Sequence, residues 1–318
     1  MASSLSSSGM VLMDSMSSEA QGRSARSVRS AFDIVPTGRS IGAEIRGADL
    51  RVLGPDDIHA VRAAWQEHQV LVFRGQSLTL DDLLAFSRHF GDLDLAPIQE
   101  NGRRFVDGHP EIYVVSNVVE NGVAIGSLGS GEAVWHSDMT YVDDPPIASA
   151  LYAVEVPPAG GDTSFCSMYG AWDRLSIDVR RRLEGLRLKH DATYNSGGYV
   201  RQGVAETDDP RTAPGVWHPL VRVHPETGRS ALFLGRRRNA YIDGFTPRES
   251  DALLDMLWAV TTDSAYVWQH RWNEGDLMLW DNRCTMHRRD SFEASSRRVM
   301  YRTQIKGDVA RTRCVNNQ

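Results

Sequence analysis

Trp135-His136-Ser137-Asp138 sets an imidazole and a carboxylate two residues apart. In an extended strand, residues i and i+2 project to one face, so a ring nitrogen and a carboxylate oxygen can meet a common point. Two neutral imidazoles and one carboxylate on one face of an octahedron leave three positions open, the arrangement of non-haem Fe(II) oxygenases. H-x-D alone is a weak signal, and the set needs a second histidine from elsewhere in the chain. His287 is the candidate, within Trp280-Asp281-Asn282-Arg283-Cys284-Thr285-Met286-His287. It follows the apolar run 277–280 and is expected near a strand end. Taken alone, a histidine so placed is more often a satisfied structural one. Mn or Zn would accept the same donors, because raw affinity seldom decides metal selection.

The C-terminal segment adds the next chemistry. Read as a strand, 298–305 puts Arg298, Met300, Arg302 and Gln304 on one face and Val299, Tyr301, Thr303 and Ile305 on the other. Two arginines on one face, just downstream of a candidate metal ligand, offer a site for carboxylates, which guanidinium groups grip bidentately. The competing role for Arg302 is a solvated basic edge.

These side chains must be held by elements the sequence also marks. The spacing predicts helices over 55–68, with Pro55 in the first turn, and from the Thr79/Asp82 capping box to Gly91. Thr246-Pro247-Arg248-Glu249 starts a third helix. Short strands are predicted at 41–45, 70–73, 112–116, 148–156, 266–272, 277–280 and 298–305. A hairpin is predicted for 220–234, around Pro225-Glu226-Thr227-Gly228. Many short strands with a few interleaved helices point to a mainly β barrel or jelly roll with helical insertions. The domain reading is a Ser-rich disordered tail over 1–30, one domain over 31–310 and a short tail over 311–318. The opening segment lacks the continuous apolar stretch of a signal peptide.

Composition narrows the function classes. The 318 residues carry 35 basic and 41 acidic side chains, a net charge of −6, which argues against a nucleic-acid partner. No apolar run is long enough to span a membrane. Three cysteines, an odd number without C-x-x-C, argue against a disulfide framework and a Cys-rich zinc site, and fit a cytoplasmic location. Lys189 and Lys306 are the only lysines, and neither sits in a phosphate-binding loop. Gly38-Arg39-Ser40-Ile41-Gly42 fits the hydrolase elbow pattern. The glycine-bounded residues after it are too few for the helix that the elbow must open.

With these pieces together, the chain resembles the taurine dioxygenase family, which includes the phenoxyacetate-herbicide dioxygenases. The resemblance rests on His136-x-Asp138, Gly160-Gly161-Asp162-Thr163, Trp280-Asp281-Asn282-Arg283 with His287, and Arg298 eleven residues beyond that histidine. The opening Gly42-Ala43-Glu44-Ile45-Arg46-Gly47-Ala48-Asp49-Leu50 adds to it. It covers roughly residues 32 to 307. The resemblance implies a double-stranded β-helix and dependence on Fe(II), 2-oxoglutarate and O2, with release of succinate and CO2. It implies His136, Asp138 and His287 as metal ligands and catalytic centre. Thr163 and Arg298 would hold the far carboxylate of 2-oxoglutarate, and Arg302 would touch the anionic group of the prime substrate. It also implies a homo-oligomer. Asp138 fills the position that related halogenases leave open for chloride, so hydroxylation is favoured, with bond cleavage following where the new hydroxyl lies beside a heteroatom.

The departures bear on substrate. His109 is only an approximate counterpart of the histidine that taurine users employ. The stretches 142–146 and 167–172 look closer to aryloxyalkanoate-using members. A small organic acid of that kind is therefore favoured over taurine. A dioxygenase of a sulfonate or sulfate ester and a jelly-roll metal-binding protein without turnover are the alternatives. The glycine-rich stretch 122–131 precedes the metal motif and is expected to border the substrate. Residues 192–215 read as a lid or an ordinary surface loop, 235–239 as a solvated basic turn, and Trp135, Trp268 and Trp280 as core.

Overall fold

The computed structural model describes residues 32–98, 104–207 and 209–307. The two tails of the domain reading, 1–30 and 311–318, lie outside the described residues. Two antiparallel-rich sheets face each other as a jelly roll. The larger runs Asp33–Pro36, Ala43–Arg46, Val70–Phe73, Leu277–Asp281, Ala148–Glu155, Val299–Ile305, Tyr113–Ser116, Ser127–Leu128 in hydrogen-bonded order. The smaller runs Trp268–His270, Thr163–Ser167, Thr285–Arg289, Ala133–His136. Neighbours in both sheets come from distant parts of the chain, so the two sheets bring together residues that are over 100 positions apart.

The strand pattern explains the layers. Val70-Leu71-Val72-Phe73 is apolar at every position because both faces are covered. Leu71 and Phe73 pack outward with Leu277 and Leu279 under the helices Pro55–His68 and Leu80–Arg88. Val70 and Val72 point inward with Met278, Trp280, Leu151, Phe165 and Met300, between the sheets. The two helices bring Trp65, Leu83 and Phe86 to the outer layer. Their boundaries follow from local chemistry: Pro55 occupies the first turn of one, and the Thr79 hydroxyl accepts from Asp82 N at 3.1 Å at the start of the other. A further core sits under helix Pro247–Thr261, which packs on helix Met168–Arg174 and strand Tyr241–Ile242; Leu254 and Leu257 share that core with Ala231 and Leu232 of the hairpin Val221–Val223 and Ser230–Leu232.

The predicted strand 266–272 is only partly formed. Ser264–Tyr266 is a 3-10 turn whose start is fixed by the Asp263 carboxylate, and pairing begins at Trp268. The helices Met168–Arg174 and Ile177–Leu183 and the sheet formed by Arg187–Asp191 and Gly215–Pro219 carry weaker periodicity and were not predicted.

Candidate metal and anion site

The cavity between the two sheets gathers the candidate residues. The smaller sheet contributes Ala133, His136, Thr163, His287 and Arg289, and the larger contributes Val115, Leu151, Trp280 and Arg302, with Arg298 just before its strand. His287 lies directly opposite His136 in the antiparallel register, with ring centroids 4.2 Å apart. It is at the centre of strand Thr285–Arg289, not at a strand end. Asp138 lies past the end of strand Ala133–His136, so its approach to His136 does not come from the strand period. Met139 takes a left-handed φ of 50°, and Asn282 clamps the turn. The Asn282 side chain accepts from Asp138 N at 2.6 Å and donates to Asp138 O at 2.8 Å and Pro146 O at 2.9 Å.

The donor atoms of His136, Asp138 and His287 all lie within 4.8 Å of one another, and all three residues are buried. His136 Nδ1 donates to Val134 O at 2.7 Å, which leaves the Nε2 lone pair facing the carboxylate. Asp138 Oδ2 accepts from Ser149 Oγ at 2.8 Å, and Oδ1 accepts from Arg302 at 3.1 Å. Burial alone would raise the Asp138 carboxyl, but the Arg302 guanidinium beside it outweighs burial and holds the carboxylate ionised, well below the usual range. Burial, with His136 adding to it, pushes His287 down to about 3, which keeps its ring neutral. Two neutral imidazoles and one carboxylate fit a divalent metal with positions to spare.

Beside this set lies an anion cradle. Arg298 is 1% exposed, and its Nε and Nη1 have no hydrogen-bond partner. Burial, with nearby Arg289 adding to it, lowers Arg298 to about 9. A buried guanidinium with free donors is costly unless an anion completes it. Thr163 Oγ1 accepts from Trp272 Nε1 at 2.9 Å, so its own proton is free to donate. Gly160 and Gly161 take φ +75° and +70°, and a Cβ on Gly160 would stand 2.6 Å from Ser291 O, which accounts for the glycine pair beside Arg298. These groups fit a dicarboxylate cosubstrate.

Sequence reasoning missed three groups here. Arg289 shares the register position of Thr163 and lines the cavity. Its i+2 spacing from His287 was a readable signal. Ser149 and Asn282 act through Asp138; Asn282 stands in the Trp280–Arg283 motif, but nothing in its spacing assigns it to Asp138, and Ser149 carries no local signature. Trp280, expected as core, is buried and also lines the cavity, 4.9 Å from the His287 ring. From the 192–215 segment, Ser196 lines the cavity, and its carbonyl accepts from Val134 N at 3.0 Å. The 235–239 turn is not simply solvated: Arg236 is buried and donates to Tyr194 O, while Arg237 pairs with Asp251 and Asp255 at the surface. His109 pairs with Asp81 at 3.1 Å and is not among the cavity residues. A second acidic and histidine cluster, His224, Asp281 and Cys284, is engaged differently. Arg283 and His224 hold Asp281, and burial drives the Cys284 thiol well above its ordinary value, so this group ties the fold together.

This fold and donor set belong with known proteins. The family model described as "Taurine catabolism dioxygenase TauD, TfdA family" matches residues 33–304, and the chain belongs to that family. It is 36% identical over 275 residues to an alpha-ketoglutarate-dependent 2,4-dichlorophenoxyacetate dioxygenase of Cupriavidus pinatubonensis, covering 84% of this chain and 95% of the relative. It is 32% identical over 293 residues to an (S)-phenoxypropionate/alpha-ketoglutarate-dioxygenase of Sphingobium herbicidovorans, covering 88% and 96%. Among solved structures, AAD-2 in complex with Mn(II) and N-oxalylglycine superposes with a TM-score of 0.70 at 30% identity, covering 87% of this chain and 97% of that one. No helix among the described residues is long and apolar enough to cross a membrane.

Proposed function

We propose that the protein is an Fe(II)- and 2-oxoglutarate-dependent dioxygenase that hydroxylates a small organic acid with an apolar, aryloxyalkanoate-like body. The observation that carries this reading is the convergence of His136, Asp138 and His287 beside a buried Arg298 that lacks a counter-anion. His136, Asp138 and His287 would hold the metal, and Arg298 with Thr163 the far carboxylate of the cosubstrate. When bound, the metal would activate O2, which is the oxidant, and 2-oxoglutarate would supply two of the electrons that reduce it, leaving as succinate and CO2.

The chain's own groups do the rest. Asn282 and Ser149 hold Asp138 in one orientation. Val115, Leu128, Leu151 and Trp280 make a largely apolar wall that excludes water from the reacting end. Arg302 projects from the same strand face as Arg298, and its Nε is buried without a partner. In this structure it donates to Asp138, and we read it as the anchor for the substrate carboxylate. The named relatives act on aryloxy acids, which supports an acid with an aromatic body. The remaining parts of the reading are one domain over 31–310, a homo-oligomer and a cytoplasmic location.

The test is succinate formation with Fe(II) and 2-oxoglutarate over a panel of aryloxyalkanoates, sulfonates, sulfate esters and taurine, with Arg302→Ala alongside. An aryloxyalkanoate is expected to give the largest rise over the substrate-free rate, and Arg302→Ala to raise its KM at least tenfold. Preference for a sulfate ester or taurine would overturn the substrate class. An unchanged KM would remove Arg302 from binding.

A further inference from the structure

The glycine-rich stretch before the metal motif ends on the cavity wall in a costly conformation. Leu128 has φ 75° and lines the cavity beside Val115 and Leu151. A bulky L-residue rarely adopts that region, whereas glycine enters it freely. The stretch supplies glycines at 122, 126, 129 and 131, yet this position is leucine. A leucine kept there, with its side chain on the cavity, implies that the side chain is used.

What holds the segment is visible. Gly126 lies flat on strand Tyr113–Ser116, where a Cβ would come within 2.7 Å of Ser116 Cβ and Val114 O. Ser127 and Leu128 then pair in parallel with Val115 and Ser116. Phe292 N donates to Ser130 O at 3.1 Å. Arg289 Nη2 donates to Leu128 O at 3.1 Å and also to Gly131 O. Arg289 is itself buried, at 6% exposure, and its Nε has no partner. One guanidinium therefore grips two carbonyls that bracket the turn. Both bonds leave from Nη2, one bond beyond the point where a lysine ammonium ends, so a lysine on the same stem falls short of both carbonyls.

We propose that Arg289 is a positioning residue that latches Leu128–Gly131 onto the site, so that the Leu128 side chain sets the girth of the prime substrate's apolar body. The specificity part rests on the aryloxyalkanoate reading; the latch itself does not. Arg289 lies next to Arg298, and a direct role in binding the cosubstrate anion is the competing assignment.

Two measurements separate these. In the metal-free protein, hydrogen exchange of a peptide spanning 126–133 is expected to be at least tenfold faster in Arg289→Met and Arg289→Lys. A peptide over Leu277–Asp281 should keep its wild-type rate and so report an intact fold. Arg289→Lys retains the buried charge and is the variant to read if Arg289→Met does not fold. In turnover, the ratio of succinate formed with a bulky ring-substituted aryloxyacetate to that formed with phenoxyacetate is expected to rise at least tenfold in Arg289→Lys and in Leu128→Ala. Wild-type exchange in both Arg289 variants would overturn the latch, and more so if 2-oxoglutarate binding alone weakened. Faster exchange with an unmoved ratio would overturn the specificity role. If wild-type protein turns over no aryloxyalkanoate, the substrate reading fails by itself, and the exchange experiment still decides the latch.

Discussion

Arg298→Met should make the unliganded protein more stable while cutting its stabilisation by 2-oxoglutarate to a third or less. Arg298 is wholly buried, and its pKa falls from its ordinary value to about 9 through burial first and Arg289 second. That fall corresponds to about 5 kcal/mol against the charged form. Because about 9 lies above neutral pH, the guanidinium stays charged in the folded state and carries this penalty in full below about pH 9. The penalty fades as pH rises from about 9 towards the ordinary guanidinium range. Methionine keeps much of the stem volume, and replacing a poorly compensated buried charge by an apolar side chain typically gains about 1–4 kcal/mol. For a chain of this size that is a rise of roughly 2–8 °C in Tm. Removing the partner of a buried ionic contact costs about 2–5 kcal/mol of binding, so 2-oxoglutarate affinity should fall at least about 30-fold. At a ligand concentration near 100 Kd, the wild type gains about 2.7 kcal/mol, and a variant with about 30-fold weaker affinity gains only about 0.9 kcal/mol at the same concentration. Differential scanning fluorimetry with Mn(II), with and without 2-oxoglutarate, reads both effects. A variant less stable than wild type when unliganded, yet still stabilised by 2-oxoglutarate like the wild type, would refute the reasoning.

Three further outcomes follow from the same geometry. Asn282→Ala leaves Asp138 N and two carbonyls buried without partners; it should cost about 2–4 kcal/mol by urea denaturation and weaken metal binding about 10–100-fold. Ser149→Ala removes one hydrogen bond to Asp138 Oδ2 and should weaken metal affinity about tenfold, read by titration, with stability changed by roughly 1 kcal/mol. His287 has a folded pKa lowered to about 3, so it is neutral when folded and takes up a proton on unfolding below its ordinary 6.5. Its contribution should be lost as pH falls from about 6.5 towards 3, at about 1.4 kcal/mol per pH unit, and His287→Gln should flatten the denaturation profile of metal-free protein by about 2–3 kcal/mol between pH 6.5 and 4.5.

Much of the frame could be read from local chemistry. The helix Pro55–His68 and the strand Val70–Phe73 have the predicted bounds, because a proline in the first turn and a run apolar on both faces depend on nothing distant. The alternation along 298–305 also holds: Arg298 and Arg302 reach the cavity, while Val299, Tyr301 and Ile305 meet the outer core. Family motifs pointed to the site where local reasoning fell short. The i, i+2 argument fits Arg289 after His287 better than Asp138 after His136, since Asp138 leaves the strand and is placed by Asn282, 144 residues away. Such tertiary clamps leave no trace in spacing. Arg236 illustrates the same limit: a basic run reads as solvated, but Tyr194 and Tyr141 bury one of its members.

Anaerobic titration of metal-free protein with Fe(II), followed by 2-oxoglutarate, bears most directly on the reading of His136, Asp138 and His287. One Fe(II) per chain is expected, with 2-oxoglutarate binding tightly only after the metal. His287→Ala and Asp138→Ala should each lose at least about 100-fold in metal affinity. Equal Fe(II) affinity in those variants, or tight metal-independent binding of 2-oxoglutarate, would contradict the assignment.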